Sequence, residues 1–239
     1  MTITTALATE AVVPAETGYD AVADIYDSWH WSTFWSNNEI PLVSSWLAKL
    51  PHGTILDAGC GTGRYLNAIS QLGFDYIGVD ISARMLKECE RRAVALRVPV
   101  TLLHCDITDI PLPQESVDHI VCARVLSHVS DLDAAFREFS RIIRVHGFCI
   151  ITDIHPSHRY ANTHIKVKSR SIRINTYKHP IQMVEDAAVR CGEFQVLNLT
   201  EHRLGDLPVK PDRHTFSKLY DSPNIPIYYS LLLYKSFDQ

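Results

Sequence analysis

The sequence lacks the features that mark a membrane-spanning or secreted protein. No apolar run in its 239 residues approaches the roughly 18 that a membrane-spanning helix needs. The opening stretch, MTITTALATEAVVPAETG, has no basic residue and no long apolar core, so we do not predict a secretory signal. The six cysteines form no C-x-x-C pair, and a disulfide framework is not expected in a chain of this length. We therefore expect a cytoplasmic protein with reduced thiols.

The sequence also lacks the positive charge that a nucleic-acid partner would require. The net charge is −4, and no lysine or arginine precedes Lys49. Nucleic-acid-binding proteins usually present a basic face. The composition therefore predicts no nucleic-acid partner, and its 46% apolar and 21% charged residues are ordinary for a soluble globular protein. That N-terminal stretch does contain six acidic residues: Glu10, Glu16, Asp20, Asp24, Asp27 and Glu39.

From Thr54 onward, strand-like segments alternate with amphipathic helical ones. The strand-like segments are continuous apolar runs, which indicates strands buried on both faces of a parallel sheet. This alternation predicts a doubly wound α/β fold. Near the C-terminus, EFQVLNLTEHRL and IPIYYSLLLYKSF predict an antiparallel pair at the sheet edge. We divide the chain into a disordered leader (1–17), an N-terminal helical cap (18–50) and a core (51–239) with an insertion near 156–180.

Three glycines in ILDAGCGTGRY directly follow the first core strand: Gly59, Gly61 and Gly63. Glycine lets the backbone approach a ligand with no Cβ in the way, in the crevice at the carboxyl end of a parallel sheet. Dinucleotides and S-adenosylmethionine both bind to such loops. The dinucleotide pattern G-x-G-x-x-G would need a glycine where Arg64 stands. The spacing therefore favours S-adenosylmethionine.

LDAGCGTGRY resembles the first motif of the class I S-adenosylmethionine-dependent methyltransferases, in which an acidic residue precedes G-x-G-x-G. The resemblance covers roughly Ile55 to His155, with GVDIS, HCDITDIPLP, SVDHIVCARVLSHV and RVHGFCIITDIHP in the family's order. It implies an enzyme with a Rossmann-like fold, in which the last strand of a mostly parallel seven-stranded sheet is antiparallel. It also implies S-adenosyl-L-methionine as cofactor. An N-P-P-Y-type motif, typical of nucleic-acid and protein targets, is absent, which favours the small-molecule branch.

The resemblance assigns a role to each motif. Asp80 would accept hydrogen bonds from both ribose hydroxyls, Asp106 would lie near the adenine amino group, and Arg124 would lie near the sulfonium. Four alternatives stay open: Asp57 as a cap of the following turn, Asp80 as a carboxylate that solvates a loop, Asp106 as a turn residue, and Arg124 in a structural ion pair. The implied cofactor-binding residues are Tyr19, Asp57, Ala58, Gly59, Gly61, Asp80, Ile81, Asp106, Ile107 and Arg124.

The acceptor pocket is expected beneath an aromatic lid in the cap segment, although the same cluster is equally typical of a hydrophobic core. With no basic patch in the sequence, we expect a small, flat, uncharged or cationic acceptor, such as an aromatic secondary metabolite with an indole-type ring. The metal alternative in DIHPSH lacks a further carboxylate, so we predict no metal. The predicted substrate-binding residues are Trp29, Trp31, Trp35 and Asp153, and the candidate general bases are His128, His155, Tyr26 and Asp24.

Two functions of other classes remain as alternatives. A nicotinamide-dependent oxidoreductase would share the fold and the acid after the second strand. A non-catalytic cofactor-binding protein would share the scaffold. The sequence leaves the acceptor atom and any homo-oligomeric state open.

Overall fold

The computed structural model describes residues 11–159, 161–167, 170–190 and 193–236. The strands in these ranges are β1 (Ala11–Val13), β2 (Thr54–Ala58), β3 (Asp75–Asp80), β4 (Thr101–His104), β5 (Val117–Ala123), β6 (Ile143–Ile154), β7 (His164–Val167), β8 (Arg170–Ile174), β9 (Phe194–His202) and β10 (Tyr228–Lys235). The helices are α1 (Ala15–Asp20), α2 (His30–Asn38), α3 (Ile40–Leu47), α4 (Leu66–Gln71), α5 (Ala83–Leu96), α6 (Leu132–Ile142), α7 (Ile181–Arg190) and α8 (Ser217–Tyr220).

Seven strands form one sheet in the order β4-β3-β2-β5-β6-β10-β9. The pairs from β4 to β6 are parallel, whereas β10 runs antiparallel to both β6 and β9. The predicted doubly wound, mostly parallel sheet with an antiparallel last strand is confirmed. The chain leaves β2 toward β3 on one side and later returns to β5 on the other. This reversal opens a crevice at the carboxyl ends of β2 and β5, where ligands bind in open α/β sheets.

The central strands are buried on both faces because helices cover both sides of the sheet. Consecutive residues show this directly: Ile55 packs into the cluster that contains Leu66 of α4, whereas Leu56 packs into the cluster that contains Phe136 of α6. Both strand residues are fully buried. Each such side chain stabilises the fold by about 1.5–3 kcal/mol. This two-sided burial is why β2 reads as a continuous apolar run.

The N-terminal segment is more ordered than its sequence suggested. Residues 1–10 of the predicted disordered leader lie outside the described residues, but residues 11–17 form β1 and the start of α1. The β1 strand pairs in parallel with β8, which in turn pairs with β7 in a separate three-stranded sheet. The leader prediction is therefore wrong for residues 11–17, because a long-range strand partner is not visible in a local sequence pattern.

The aromatic cluster forms a helix of its own. Most of the segment WHWSTFW lies in α2, and Phe34 and Trp35 are buried there. They pack against Leu219 of α8 and Tyr228 of β10 in a separate hydrophobic cluster. Within the described ranges, none of the helices is both long and apolar enough to cross a membrane.

Candidate functional site

The glycine loop connects the end of β2 to α4 with three residues in the left-handed region. Their φ values are +75° at Gly59, +55° at Gly61 and +76° at Gly63. A Cβ at Gly59 would lie 2.3 Å from the Cγ2 atom of Val125, so this glycine is required for packing. A Cβ at Gly61 would meet nothing within 4 Å. Gly61 therefore leaves an open space above the loop into which a ligand can approach the backbone.

That space belongs to a cavity of about 850 Å³ at the carboxyl ends of the parallel strands. The structure brings nine of the ten predicted cofactor-binding residues to its lining. Ala58 is the exception, because its side chain is fully buried in the core below the loop. The nine lining residues are Tyr19, Asp57, Gly59, Gly61, Asp80, Ile81, Asp106, Ile107 and Arg124.

Asp80 ends β3 and links the two loops that frame this cavity. Its Oδ2 atom accepts a hydrogen bond from the backbone N–H of Gly61 at 2.7 Å, and its Oδ1 atom accepts one from Ser82 at 2.8 Å. Burial raises the pKa of Asp80 to about 6, against the lowering effect of these two bonds. Each oxygen keeps a second lone pair, so the ionised carboxylate has acceptor capacity left for ligand hydroxyls.

Two further acids line the cavity in different ways. Asp57 accepts a hydrogen bond from the hydroxyl of Tyr76 at 2.8 Å, and burial raises its pKa to about 7. Asp106 closes a turn, in which its Oδ1 atom accepts bonds from the backbone N–H and the hydroxyl of Thr108. The turn alternative for Asp106 therefore holds, and its position at the cavity leaves Oδ2 available as an acceptor.

A second, larger cavity of about 2120 Å³ adjoins the first. Its walls include the predicted acceptor-site residues Trp29, Trp31 and Trp35. The rings of Trp31 and Trp35 stack with their centroids 5.5 Å apart. Five residues line both cavities and so mark where they meet: Tyr19, Tyr26, Arg64, Arg124 and His128.

A chain of hydrogen bonds crosses this junction. The Nδ1 atom of His128 lies 2.8 Å from the backbone carbonyl of Asn175, and its Nε2 atom lies 2.8 Å from the hydroxyl of Tyr19. A carbonyl only accepts, so Nδ1 carries the proton and Nε2 accepts from Tyr19. Burial lowers the pKa of His128 and raises that of Tyr19, which keeps the imidazole neutral and the phenol protonated at pH 7.

Arg124 makes the ion pair that was left open as an alternative. Its Nε atom lies 3.1 Å from Oε2 of Glu39, which is fully buried and also accepts from the hydroxyl of Thr152. Burial lowers the pKa of Arg124, but Glu39 outweighs it and raises that pKa above its ordinary value. The guanidinium also lies over the ring of Trp35, 5.1 Å from its centroid. Arg124 thus joins the cap to the core and borders both cavities.

Besides Ala58, three predicted residues line neither of the two large cavities: Asp24, His155 and Asp153. Asp24 is on the surface, 3.8 Å from Arg84, and lines neither cavity. The Nε2 atom of His155 lies 3.2 Å from Oε1 of Glu201 in β9, and His155 lines neither cavity. The structure therefore brings neither of these candidate bases to the two cavities, because the direction of a side chain at a strand end or in a cap loop depends on tertiary packing.

Asp153, predicted to bind substrate, instead supports the turn that carries His128. Its carboxylate accepts from the backbone N–H of Ser127 at 2.7 Å, from the Ser127 hydroxyl at 3.0 Å and from its neighbour Ile154. It is almost fully buried and lines neither large cavity. The burial that raises its pKa to about 6 is partly offset by these bonds. Asp153 is therefore a positioning residue for the Leu126–His128 turn.

Arg64 lines both cavities but was not among the residues predicted from the sequence, where it served only as evidence against a dinucleotide. Its side chain is 9% exposed and donates to the carbonyl of Ser32 at 2.8 Å and to the hydroxyl of Ser32 at 3.3 Å. In the described part of the chain it forms no ion pair, and burial together with Arg124 lowers its pKa. A buried cation next to a ligand loop is a signal for an anionic ligand group, but only the fold shows that Arg64 is buried.

Over residues 11–159, 161–167, 170–190 and 193–236, no three or more His, Cys, Asp and Glu side chains are arranged to hold a metal ion.

Comparison with known proteins shows which proteins these features resemble. Residues 56–151 match the family described as a methyltransferase domain. The chain is 33% identical over 138 residues to a tRNA (carboxymethyluridine(34)-5-O)-methyltransferase of Arabidopsis thaliana, covering 56% of this chain and 31% of that protein. It is 37% identical over 100 residues to a malonyl-[acyl-carrier protein] O-methyltransferase of Yersinia pestis, covering 42% of this chain and 36% of that protein. The chain thus spans about a third of the length of these two relatives.

A solved structure resembles nearly the whole chain. The [4+2]-cyclase SpnF superposes with a TM-score of 0.69 at 15% identity, covering 96% of this chain and 100% of that one. At this identity the likeness shows the fold alone.

Proposed function

We propose that this chain, which contains a class I S-adenosylmethionine-dependent methyltransferase domain, transfers a methyl group to a small acceptor. The observation that carries the proposal is the junction of two cavities. One lies over the glycine loop and Asp80, and the other lies beneath the aromatic helix α2. A cofactor over the loop and an acceptor beneath α2 would meet at Tyr19, Arg124 and His128.

The residues of the smaller cavity fit S-adenosylmethionine. The open space above Gly61 is where a side chain would block a ligand, and Asp80 has free acceptor lone pairs for two ribose hydroxyls. We assign Ile81 and Ile107 to the adenine ring and Asp106 to its amino group. No phosphate-binding clamp is required, because this cofactor carries no phosphate.

We assign Arg64 to the carboxylate of the cofactor's methionine part. Arg64 borders the cavity, is nearly buried and lacks a carboxylate partner among the described residues. Tyr26 lies beneath its guanidinium, 5.6 Å from ring centroid to Cζ, which fixes the orientation of the arginine. A charge-assisted bond to a ligand carboxylate would compensate a cation that burial otherwise destabilises.

Catalysis at the junction needs alignment and, for some acceptors, a base. S-adenosylmethionine, when bound, would supply an electrophilic methyl carbon on a sulfonium sulfur, and the sulfur would leave as the neutral thioether of S-adenosylhomocysteine. Holding two reactants aligned can lower the barrier by about 7–11 kcal/mol, and the tryptophan walls would exclude water from that contact. His128 is our candidate base. Its neutral imidazole can take up a proton at Nε2 through Tyr19, while Nδ1 keeps its own proton and donates it to the backbone carbonyl of Asn175.

The acceptor is a small molecule in this proposal, because aromatic rings line part of the larger cavity. An indole-type ring or another aromatic secondary metabolite suits stacking against Trp31 and Trp35. The curated relatives named above differ in acceptor, and one of them acts on tRNA, so RNA is a direct competitor to be tested.

The five described cysteines are free, which supports our placing the protein in the reducing cytoplasm.

The test measures cofactor binding and methyl transfer separately. Isothermal calorimetry should show that S-adenosylhomocysteine binds and that NADH does not. If NADH binds tightly and S-adenosylhomocysteine does not bind, the oxidoreductase alternative is favoured instead. Incubation with methyl-labelled S-adenosylmethionine, an aromatic small-molecule library and total RNA should then place the label in a small molecule. Thioether binding without transfer to any acceptor would favour the non-catalytic alternative, and label in RNA would overturn the small-molecule assignment.

A further inference from the structure

Among the residues that the structure describes, the charged side chains that line the larger cavity are all positive. Its lining includes three arginines and one lysine, Arg64, Arg124, Arg159 and Lys218. Among the described residues that line it, there is no aspartate or glutamate. This is unexpected in a chain with 27 acidic and 23 basic residues. The fold therefore collects positive charge in this cavity, although the sequence shows no basic patch.

Two of these cations already have a partner or an assignment. Arg124 is paired with Glu39, and we assign Arg64 to the cofactor. The other two remain uncompensated. The side chains of Arg159 and Lys218 are exposed, and neither forms a hydrogen bond or an ion pair with the residues that the structure describes. They are the charges at this cavity that are free to meet a ligand.

The same cavity offers an apolar surface beside the free cations. Lys218 is in the first turn of α8, two residues after Phe216, and the Phe216 ring contacts the ring of Trp31 edge-on at 4.9 Å. A ligand with only polar groups would not use these rings, and a ligand with a positive charge would meet like charges. A ligand with an apolar body and a negative end matches both surfaces.

We propose that the acceptor carries an acidic group, a carboxylate, sulfate or phosphate, on an aromatic or otherwise apolar body. Arg159 and Lys218 hold the acidic group, and the rings of Trp31 and Phe216 hold the body. This replaces the uncharged or cationic acceptor expected from the sequence. The inference rests on the proposed function only in calling this ligand the acceptor, since the charge of the cavity is independent of the reaction.

A matched pair of fluorescent probes tests the charge preference. 1-Anilinonaphthalene-8-sulfonate is an aromatic anion, and N-phenyl-1-naphthylamine has the same rings without the sulfonate. Both are titrated into the full chain saturated with S-adenosylhomocysteine. The double variant R159E/K218E should weaken sulfonate binding by about tenfold or more and leave the neutral probe within about twofold. The control K87E/R137E makes the same change in net charge on exposed residues that line neither cavity, and should leave both probes unchanged.

The outcomes separate this inference from the proposed function. It is overturned if the sulfonate does not bind, if both double variants weaken it equally, or if the neutral probe loses as much affinity as the sulfonate. S-adenosylhomocysteine should bind the wild type and both variants equally, which also verifies folding. If S-adenosylhomocysteine binds neither the wild type nor the variants, the proposed function fails. The two probes can then be titrated without S-adenosylhomocysteine, and these titrations still report whether the cavity selects anions.

Discussion

Gly61 allows a direct test of where the cofactor lies. Replacing it with alanine introduces one methyl group at a position where no heavy atom lies within 4 Å, so the folded protein has room for it. The φ of +55° makes alanine unfavourable there, and the free energy of unfolding should fall by about 1–2 kcal/mol. The methyl group would, however, fill the space through which a ligand approaches the loop backbone.

The expected loss of affinity follows from overfilling a packed contact. Such overpacking costs about 1–3 kcal/mol, which corresponds to a roughly 5- to 150-fold higher Kd for S-adenosylhomocysteine. Calorimetry gives the Kd, and urea unfolding gives the stability. Gly205→Ala is the matched control, because its Cβ also meets nothing within 4 Å and its backbone is not left-handed. A Gly61→Ala variant that binds the thioether as tightly as the wild type would refute a cofactor over the loop.

The remaining predictions concern charged groups. Asp80→Ala should remove charge-assisted hydrogen bonds of about 1.5–3 kcal/mol each, so calorimetry should show at least roughly 100-fold weaker binding of S-adenosylhomocysteine. The control Asp109→Ala changes an exposed residue outside the cavity and should leave this binding unchanged. Because only the ionised carboxylate accepts two ribose hydroxyls and the pKa of Asp80 is about 6, affinity should be flat above that pH and fall about tenfold per pH unit below it; an equally steep fall in Asp80→Asn would contradict this. Arg64→Met should weaken S-adenosylhomocysteine about tenfold or more but leave adenosine, which has no carboxylate, unchanged; equal losses for both would rule out the carboxylate assignment. Glu39→Gln should lower the free energy of unfolding in urea by about 3–5 kcal/mol, since Arg124 is left buried and uncompensated, and an unchanged unfolding midpoint would show that the ion pair is not structural.

Features that depend on a short stretch of chain were predicted well. A strand that ends in a glycine loop places Gly59, Gly61 and Asp57 at one crevice whatever else the chain does, and the end of the next parallel strand places Asp80 beside them. Alternating strands and helices also determined the fold class, because two-sided burial leaves continuous apolar runs. These are consequences of local geometry and of one repeated strand–helix unit.

Features that depend on distant segments were decided by the tertiary structure. Tyr19 meets His128 across 109 positions of sequence, and Arg124 meets Glu39 across 85. His155 had the right chemistry for a base, yet its ring lies against β9.

The charge of the larger cavity also depends on tertiary packing. Composition and spacing determine which local backbone structures this sequence can form, and so determined the crevice and its glycine loop. They do not determine which side chains converge from separate elements, because that depends on how the helices and the antiparallel edge pack onto the sheet. Only that packing brings Arg159 and Lys218 to one cavity and excludes acidic side chains from the described part of its lining.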